Sequence, residues 1–206
     1  MSQPGWPAVL VDGPVTLRPY RRADARAWAE VRRANEQWLS KWEPTPYGTW
    51  HDLNSPAAFR AVHADLRRAA RQGSAMPFAV CYDDRLVGQL TLGNIVRRAF
   101  CSGYAGYWVD ARHAGKGITP TALALVVDHA FSVGGLHRIE VNIRPDNLAS
   151  RRVVEKLGFR QEAYHHRYLH IDGDWRDHLG YAMTSEEIAA EGGLLARWRR
   201  VRAGTS

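Results

Sequence analysis

Apolar and polar positions change period several times along the chain, and each change marks an element. Val15-Thr16-Leu17-Arg18 alternates, the period of a half-buried strand. Ala27, Trp28, Val31 and Ala34 then recur at helical spacing, with Asp24 placed as the N-cap. Residues 42–51 mix prolines, aromatics and glycine and read as a loop. Ser55-Pro56 opens a helix, a capping residue followed by proline at the first helical position, and Gly73 stops it after Gln72. Residues 77–82 and 86–92 read as strands joined by the hairpin connection Asp83-Asp84-Arg85. Residues 102–110 form a third strand, with Gly103 and Gly106 inside it, a mark of a bulge or of close backbone approach. Residues 119–133 are apolar on almost every face and predict a well-buried helix. A strand at 138–143 and a helix at 149–157, stopped by Gly158, come next. Strands at 159–171 and 177–184 flank Asp172-Gly173-Asp174, and Ser185 starts a terminal helix reaching Arg200. The order predicts a mixed α/β fold in which an antiparallel meander feeds a strand-loop-helix-strand unit. Without repeats or linkers, residues 1–206 read as one domain, with a core of about 15–184 and a helical extension at 185–206.

Composition narrows the setting. The chain has 206 residues, 45% hydrophobic and 24% charged, as ordinary globular domains do. No run of about 18 apolar residues predicts a membrane span. Residues 1–8 lack a basic stretch followed by an apolar one, so no secretory signal is expected. Cys81 and Cys101 have neither metal-ligand nor redox spacing and read as small core residues of two strands, which suits a reducing cytoplasm. His165, His166, His170 and His178 match no zinc spacing, so no metal is expected. The formal charge of +7 asks for an anionic partner, either a phosphate-bearing cofactor or a protein that lives near nucleic acid. Direct reading of nucleic acid finds no support in any motif. Monomer and homodimer are equally compatible.

The motif that carries chemistry is Arg112-His113-Ala114-Gly115-Lys116-Gly117, with Arg-x-x-Gly-x-Gly spacing between a strand and a helix. Glycines turn the backbone tightly and bring its N–H groups against an anion. The helix that follows adds unpaired amides and the positive end of its dipole. Gly115-Lys116-Gly117-Ile118 lacks the glycine spacing and hydroxyl of a P-loop. A dinucleotide fingerprint needs three glycines and a parallel sheet, which the meander argues against.

Four blocks together resemble the GNAT superfamily of acetyl-CoA-dependent N-acetyltransferases. They are Gly106 to Asp110 with the glycine loop; His137 to Glu140 with Asn147 to Ser150 and Lys156 to Phe159; Tyr168 to His178; and Asn35 to Pro44. The last two are similar to the branch that acetylates N-terminal alanine or serine of ribosomal proteins. The resemblance implies a mostly antiparallel sheet, flanked by helices, that splays open beside Tyr107, Trp108 and Val109 to admit the pantetheine arm. It implies that Arg112, His113, Ala114, Gly115, Lys116, Gly117, Ile118 and Thr119 hold the pyrophosphate, with Asn147 across the cofactor. Asn35, Trp42, Glu43 and Tyr107 are placed on the acceptor side.

The implied reaction is direct attack of an amine on the acetyl carbonyl. At pH 7 an α-amine of pKa about 7.8 costs roughly 1.1 kcal/mol to deprotonate and a lysine roughly 4.6, so a weak base serves only the former. No tyrosine follows Asn147 in the helix, where many superfamily members carry their proton donor, so the resemblance turns to Ser150, which is also an N-cap candidate. For the base, Leu169 stands where a related group carries a hairpin glutamate; Glu140, His170 and Glu43 are the alternatives. The preferred acceptor is a protein N-terminus, ribosomal by resemblance. A small amine such as an antibiotic, or a non-catalytic acetyl-CoA sensor, are the rival readings.

Overall fold

The computed structural model describes residues 4–204. One eight-stranded sheet runs through the molecule: β1 (Leu10–Asp12), β2 (Val15–Pro19), β3 (Met76–Tyr82), β4 (Arg85–Val96), β5 (Ser102–Val109), β6 (Arg138–Ile143), β7 (Arg160–Ile171) and β8 (Asp174–Thr184). Its spatial order is β1-β2-β3-β4-β5-β6-β8-β7, antiparallel throughout except at β5–β6. Helices α1 (Ala25–Ala34), α2 (Glu36–Leu39), α3 (Trp50–Leu53) and α4 (Pro56–Arg71) precede β3. Helices α5 (Ile118–Ser132) and α6 (Leu148–Leu157) flank β6, and α7 (Glu186–Ala189) and α8 (Leu194–Gly204) follow β8.

The alternation of β3 shows how two cores form around one sheet. Met76, Phe78 and Val80 belong to the larger cluster, with α5, α6 and α8. Ala79 and Cys81 point the other way, into a cluster with Trp28 of α1 and Phe59 of α4. Helix α5 explains its own composition: it packs against the sheet on one side and against α6 and α8 on the others. Among the described residues, no helix is long and apolar enough to cross a membrane.

Several local expectations shift. Both hairpins close on two residues in the left-handed region, Asp83-Asp84 and Asp172-Gly173, so Arg85 and Asp174 join strands rather than turns. Asp24 occupies the N-cap position of α1, but its side chain does not cap the helix. Asp24 also ends the preceding turn, where its carboxylate accepts from Arg21 N at 2.7 Å and pairs with Arg18 at 2.8 Å. Ser55 does cap α4, accepting from Ala58 N at 3.0 Å ahead of Pro56. The predicted loop at 42–51 holds over residues 43–49, and its last two residues enter α3, capped by Thr49. Cys101 lies just ahead of β5 with positive φ, not inside a strand. The terminal helix breaks in two at Gly192-Gly193, because the carboxylate of Asp128 starts a fresh helix by accepting from Leu194 N and Leu195 N at 2.6 and 2.9 Å. Strand β1 had no alternation long enough to reveal it.

Candidate active site

The site begins where two strands part. β5 and β6 pair only at Ser102, Gly103 and Tyr104, opposite Arg138, Ile139 and Glu140. Beyond that point β6 continues with β8 alone and β5 with β4 alone. Asp110 N donates to Val87 O at 2.8 Å, so alternation turns the backbone groups of Tyr107 and Val109 away from β4, into the gap. The Val109 carbonyl there already accepts the Trp38 indole N–H at 3.1 Å. A cavity of about 750 Å³ opens over the gap, and Gly106, Tyr107, Trp108 and Val109 line it. A Cβ on Gly106 would meet nothing within 4 Å, so the missing side chain leaves open volume.

The glycine loop forms one wall. Gly115 and Gly117 have φ of +80° and +77°, which side-chain-bearing residues adopt only at a cost. Gly117 ends the loop as the N-cap of α5, and no side chain caps that helix. The first helical bond runs from Thr121 N to Gly117 O at 3.1 Å, leaving the Ile118 and Thr119 amides outside the ladder. Residues His113 to Pro120 all line the cavity. A polyanion fits such a cradle, since amides and dipole act together.

Arg112 does not share that wall. Its guanidinium turns back to Asp110, donating at 2.6 Å to a carboxylate only 1% exposed. Burial alone would raise the Asp110 carboxyl. The bonds from Arg112, from the Arg112 amide and from Asn35 outweigh it and hold the pKa at about 2. Asn35, placed beforehand among acceptor contacts, is buried and serves this same knot. Its amide nitrogen donates to Asp110 at 3.1 Å and its oxygen accepts from Ala111 N at 2.8 Å. Both residues therefore hold the loop in place.

Helix α6 forms the opposite wall. Its N-cap is Asn147, whose oxygen accepts from Ser150 N at 3.1 Å. Ser150 is thus not the cap; its hydroxyl is released from that duty and lines the cavity with Asn147. Tyr107 stands behind it, donating to the Ser150 carbonyl at 3.2 Å. Burial pushes the Tyr107 phenol well up, against a hydrogen bond with Ser150 that pulls it down, so it stays protonated.

The remaining side is built from side chains. Trp38, Trp42 and Glu43 line the cavity. Glu43 pairs through both oxygens with Arg32, whose guanidinium lies 4.6 Å from the Trp50 ring centroid and 5.2 Å from that of Trp108. A side chamber of about 290 Å³ shares Glu43, Pro44, Gln89 and Trp108 with the main cleft. The following loop is tied to the β7–β8 hairpin, with Thr45 N donating to His170 O at 3.0 Å and Gly173 N to Thr45 Oγ1 at 2.8 Å. His170 enters the structure through that carbonyl, and its ring packs edge-on against Trp175 at 5.4 Å. Neither His170 nor Glu140 lines the cavity. Glu140 is held by Arg138 Nε at 2.7 Å, as part of a network that extends to Glu162.

The structure thus gathers His113 to Thr119, Tyr107 to Val109, Asn147, Ser150, Trp42 and Glu43, and leaves out Asn35, Arg112, Glu140 and His170. Sequence reasoning missed Trp38, Arg152, Lys156, Trp198 and Arg202, which also line the cavity. Arg152 and Lys156 were findable, because they stand four residues apart, on one face of the helix that carries Ser150. Trp198 and Arg202 lie on α8, and nothing local ties them to the loop. Among the described residues no group of three or more His, Cys, Asp or Glu is arranged to hold a metal.

A split strand, a glycine cradle and an uncapped helix are the attributes of an acyl-CoA-binding transferase. The model of the acetyltransferase (GNAT) domain matches residues 15–160, and the chain belongs to that family of N-acetyltransferases. Among its relatives, the Escherichia coli [ribosomal protein uS5]-alanine N-acetyltransferase is 32% identical over 170 residues, covering 80% of this chain and 85% of that one. The probable N-acetyltransferase YjcK of Bacillus subtilis is 47% identical over 105 residues, which span 58% of its length and 51% of this chain. The solved structure of Mycobacterium smegmatis RimJ in complex with CoA-disulfide superposes with a TM-score of 0.93 at 40% identity, covering 98% of this chain and 97% of that one. The residues present fit acetyl-CoA: amides for its pyrophosphate, free strand groups for its amide-bearing arm, and space at Gly106.

Proposed function

We propose that this enzyme transfers acetyl from acetyl-CoA to the N-terminal α-amine of a ribosomal protein, by direct attack. The observation that carries this reading is the poverty of bases in the cleft. Glu43 is the one carboxylate among the described lining residues, His113 sits on the glycine loop, and the other charged groups among them are cations. An α-amine asks for only about 1.1 kcal/mol of deprotonation at pH 7, whereas a lysine would ask for about 4.6. The names of the relatives, which modify ribosomal proteins, point the same way.

In this mechanism the incoming ammonium meets Glu43, and its proton leaves to the carboxylate or to solvent. The free nitrogen lone pair attacks the thioester carbon, and the C–S bond breaks as the amide forms. The departing thiolate takes its proton from the Ser150 hydroxyl, at the first turn of α6, where Tyr107 anchors the Ser150 backbone through its carbonyl. The extra proton left on the new amide nitrogen passes through solvent to the Ser150 alkoxide and restores the hydroxyl. Acetyl-CoA supplies only the activated acetyl group.

The test is thiol release from acetyl-CoA with three acceptors: an alanine-starting peptide, the same peptide with a blocked N-terminus and an internal lysine, and a panel of small amines. Turnover with the free N-terminus alone is expected. Turnover on the blocked peptide or only on small amines would overturn the reading.

A further inference from the structure

The matched family region ends at residue 160, yet the cavity has a wall beyond it. Helix α8 supplies that wall. It starts on the Asp128 carboxylate, which belongs to α5, and is therefore registered against the helix that carries the phosphate loop. Trp198 is 4% exposed and donates its indole N–H to Thr121 Oγ1 at 2.8 Å; Thr121 Oγ1 in turn donates to Gly117 O at 2.9 Å. A Cβ on Gly117 would lie 3.4 Å from the Trp198 ring, so the loop and α8 are in packing contact. One turn further on, the Arg202 guanidinium lies 5.9 Å from the Trp198 ring centroid and lines the cavity.

Charge in the cleft is segregated. Lys116 of the loop, Arg152 and Lys156 of α6 and Arg202 of α8 line it together, while among the described residues the single lining carboxylate, Glu43, comes from the segment after α2. The loop amides and α5 already suit the pyrophosphate. Cations of α6 and α8 line the same cleft and suit a second anionic group, and acetyl-CoA has one: the ribose 3′-phosphate, a monoester carrying close to two negative charges at neutral pH.

We propose that Arg202, with Lys156 of α6 lining the same cavity, binds the 3′-phosphate, so that α8 makes the enzyme discriminate CoA from dephospho-CoA. Guanidinium suits this task because its planar fork pairs with two phosphate oxygens at once, and the Trp198 face beneath limits its freedom. The inference rests on acetyl-CoA as donor and not on the identity of the acceptor.

Calorimetric titration of the full chain with CoA and with dephospho-CoA tests it, with no acceptor present. The wild type should bind CoA at least tenfold more tightly than dephospho-CoA. Arg202→Gln should weaken CoA by about tenfold and leave dephospho-CoA unchanged, and added salt should erode the wild-type preference. Arg199→Gln is the control on the same helix; Arg199 pairs with Asp12 and does not line the cavity, so both affinities should persist. Equal wild-type affinity for the two ligands would overturn the proposal. So would equal weakening of both by Arg202→Gln, which would mark Arg202 as a support of the loop. Binding of neither ligand by the wild type would instead remove the donor reading on which the proposal rests. A failed peptide assay, by contrast, leaves these titrations untouched.

Discussion

The two sides of the cleft are built by different means. On the proposed donor side, most of what faces the cleft is backbone: left-handed glycines, two amides ahead of the first α5 hydrogen bond, and strand groups turned into the β5–β6 gap. On the proposed acceptor side it is almost wholly side chain: Trp38, Trp42 and a Glu43–Arg32 pair wedged among indoles. Phosphates are the same in every turnover, so a rigid backbone cradle suits them. Acceptors differ between related enzymes, and side chains can change without disturbing a fold. Specificity should therefore be separable from donor binding by mutation, and chemistry should be separable from both.

Ser150→Ala gives the sharpest separation. Because Asn147 caps α6, the fold does not need this hydroxyl, and kcat should fall about a hundredfold. Affinity for acetyl-CoA by calorimetry should hold; an equal loss in both would make Ser150 a support of the wall. Gly106→Val attacks the donor side alone. Its Cβ meets no neighbour within 4 Å, so the valine should project into the open cleft and raise the acetyl-CoA dissociation constant at least about tenfold with little change in Tm. This is a cleaner probe than Gly117, where φ of +77° and the Trp198 ring would add strain. An unchanged Kd would show that the arm does not run past Gly106.

Glu43→Gln should do the reverse, raising KM for an alanine-starting peptide roughly fivefold while the acetyl-CoA Kd stays put. A matching rise in the donor Kd would erase the distinction between the two sides. The smallest effect belongs to the knot that joins them. Asp110 in the fold titrates at about 2, below its unfolded value near 3.9. Its contribution is present in full above about pH 4 and is lost as pH falls toward 2. Discounted for the exposure of Arg112, it amounts to about 1–2 kcal/mol. Asp110→Asn should lower Tm at pH 7 by roughly 3–6 °C and flatten the acid limb of a stability-versus-pH curve. A Tm unchanged at pH 7 would mean that the knot is dispensable.

What can be read along the chain and what cannot follow from the reach of each interaction. The meander, the buried α5, the α4 start at Ser55-Pro56 and the glycine loop are local patterns, decided within a few residues by strand alternation, capping and φ. The loop geometry was legible for that reason, since its amides are consecutive. The fate of single side chains was not. Asn35 lies 75 residues from the carboxylate it clamps, and Trp198 lies 77 from the hydroxyl it meets. Ser150 lost its capping role to Asn147, three residues away, through a choice of backbone angles that either residue type permits. Arg112, Glu140 and His170 carry the right chemistry, but Asp110, Arg138 and the hairpin packing claim them first. The sequence by itself determined the sheet, the helix that covers it and the glycine loop that opens that helix. Only the tertiary structure decided which charges face the cleft, because burial and pairing are settled between segments far apart in the chain.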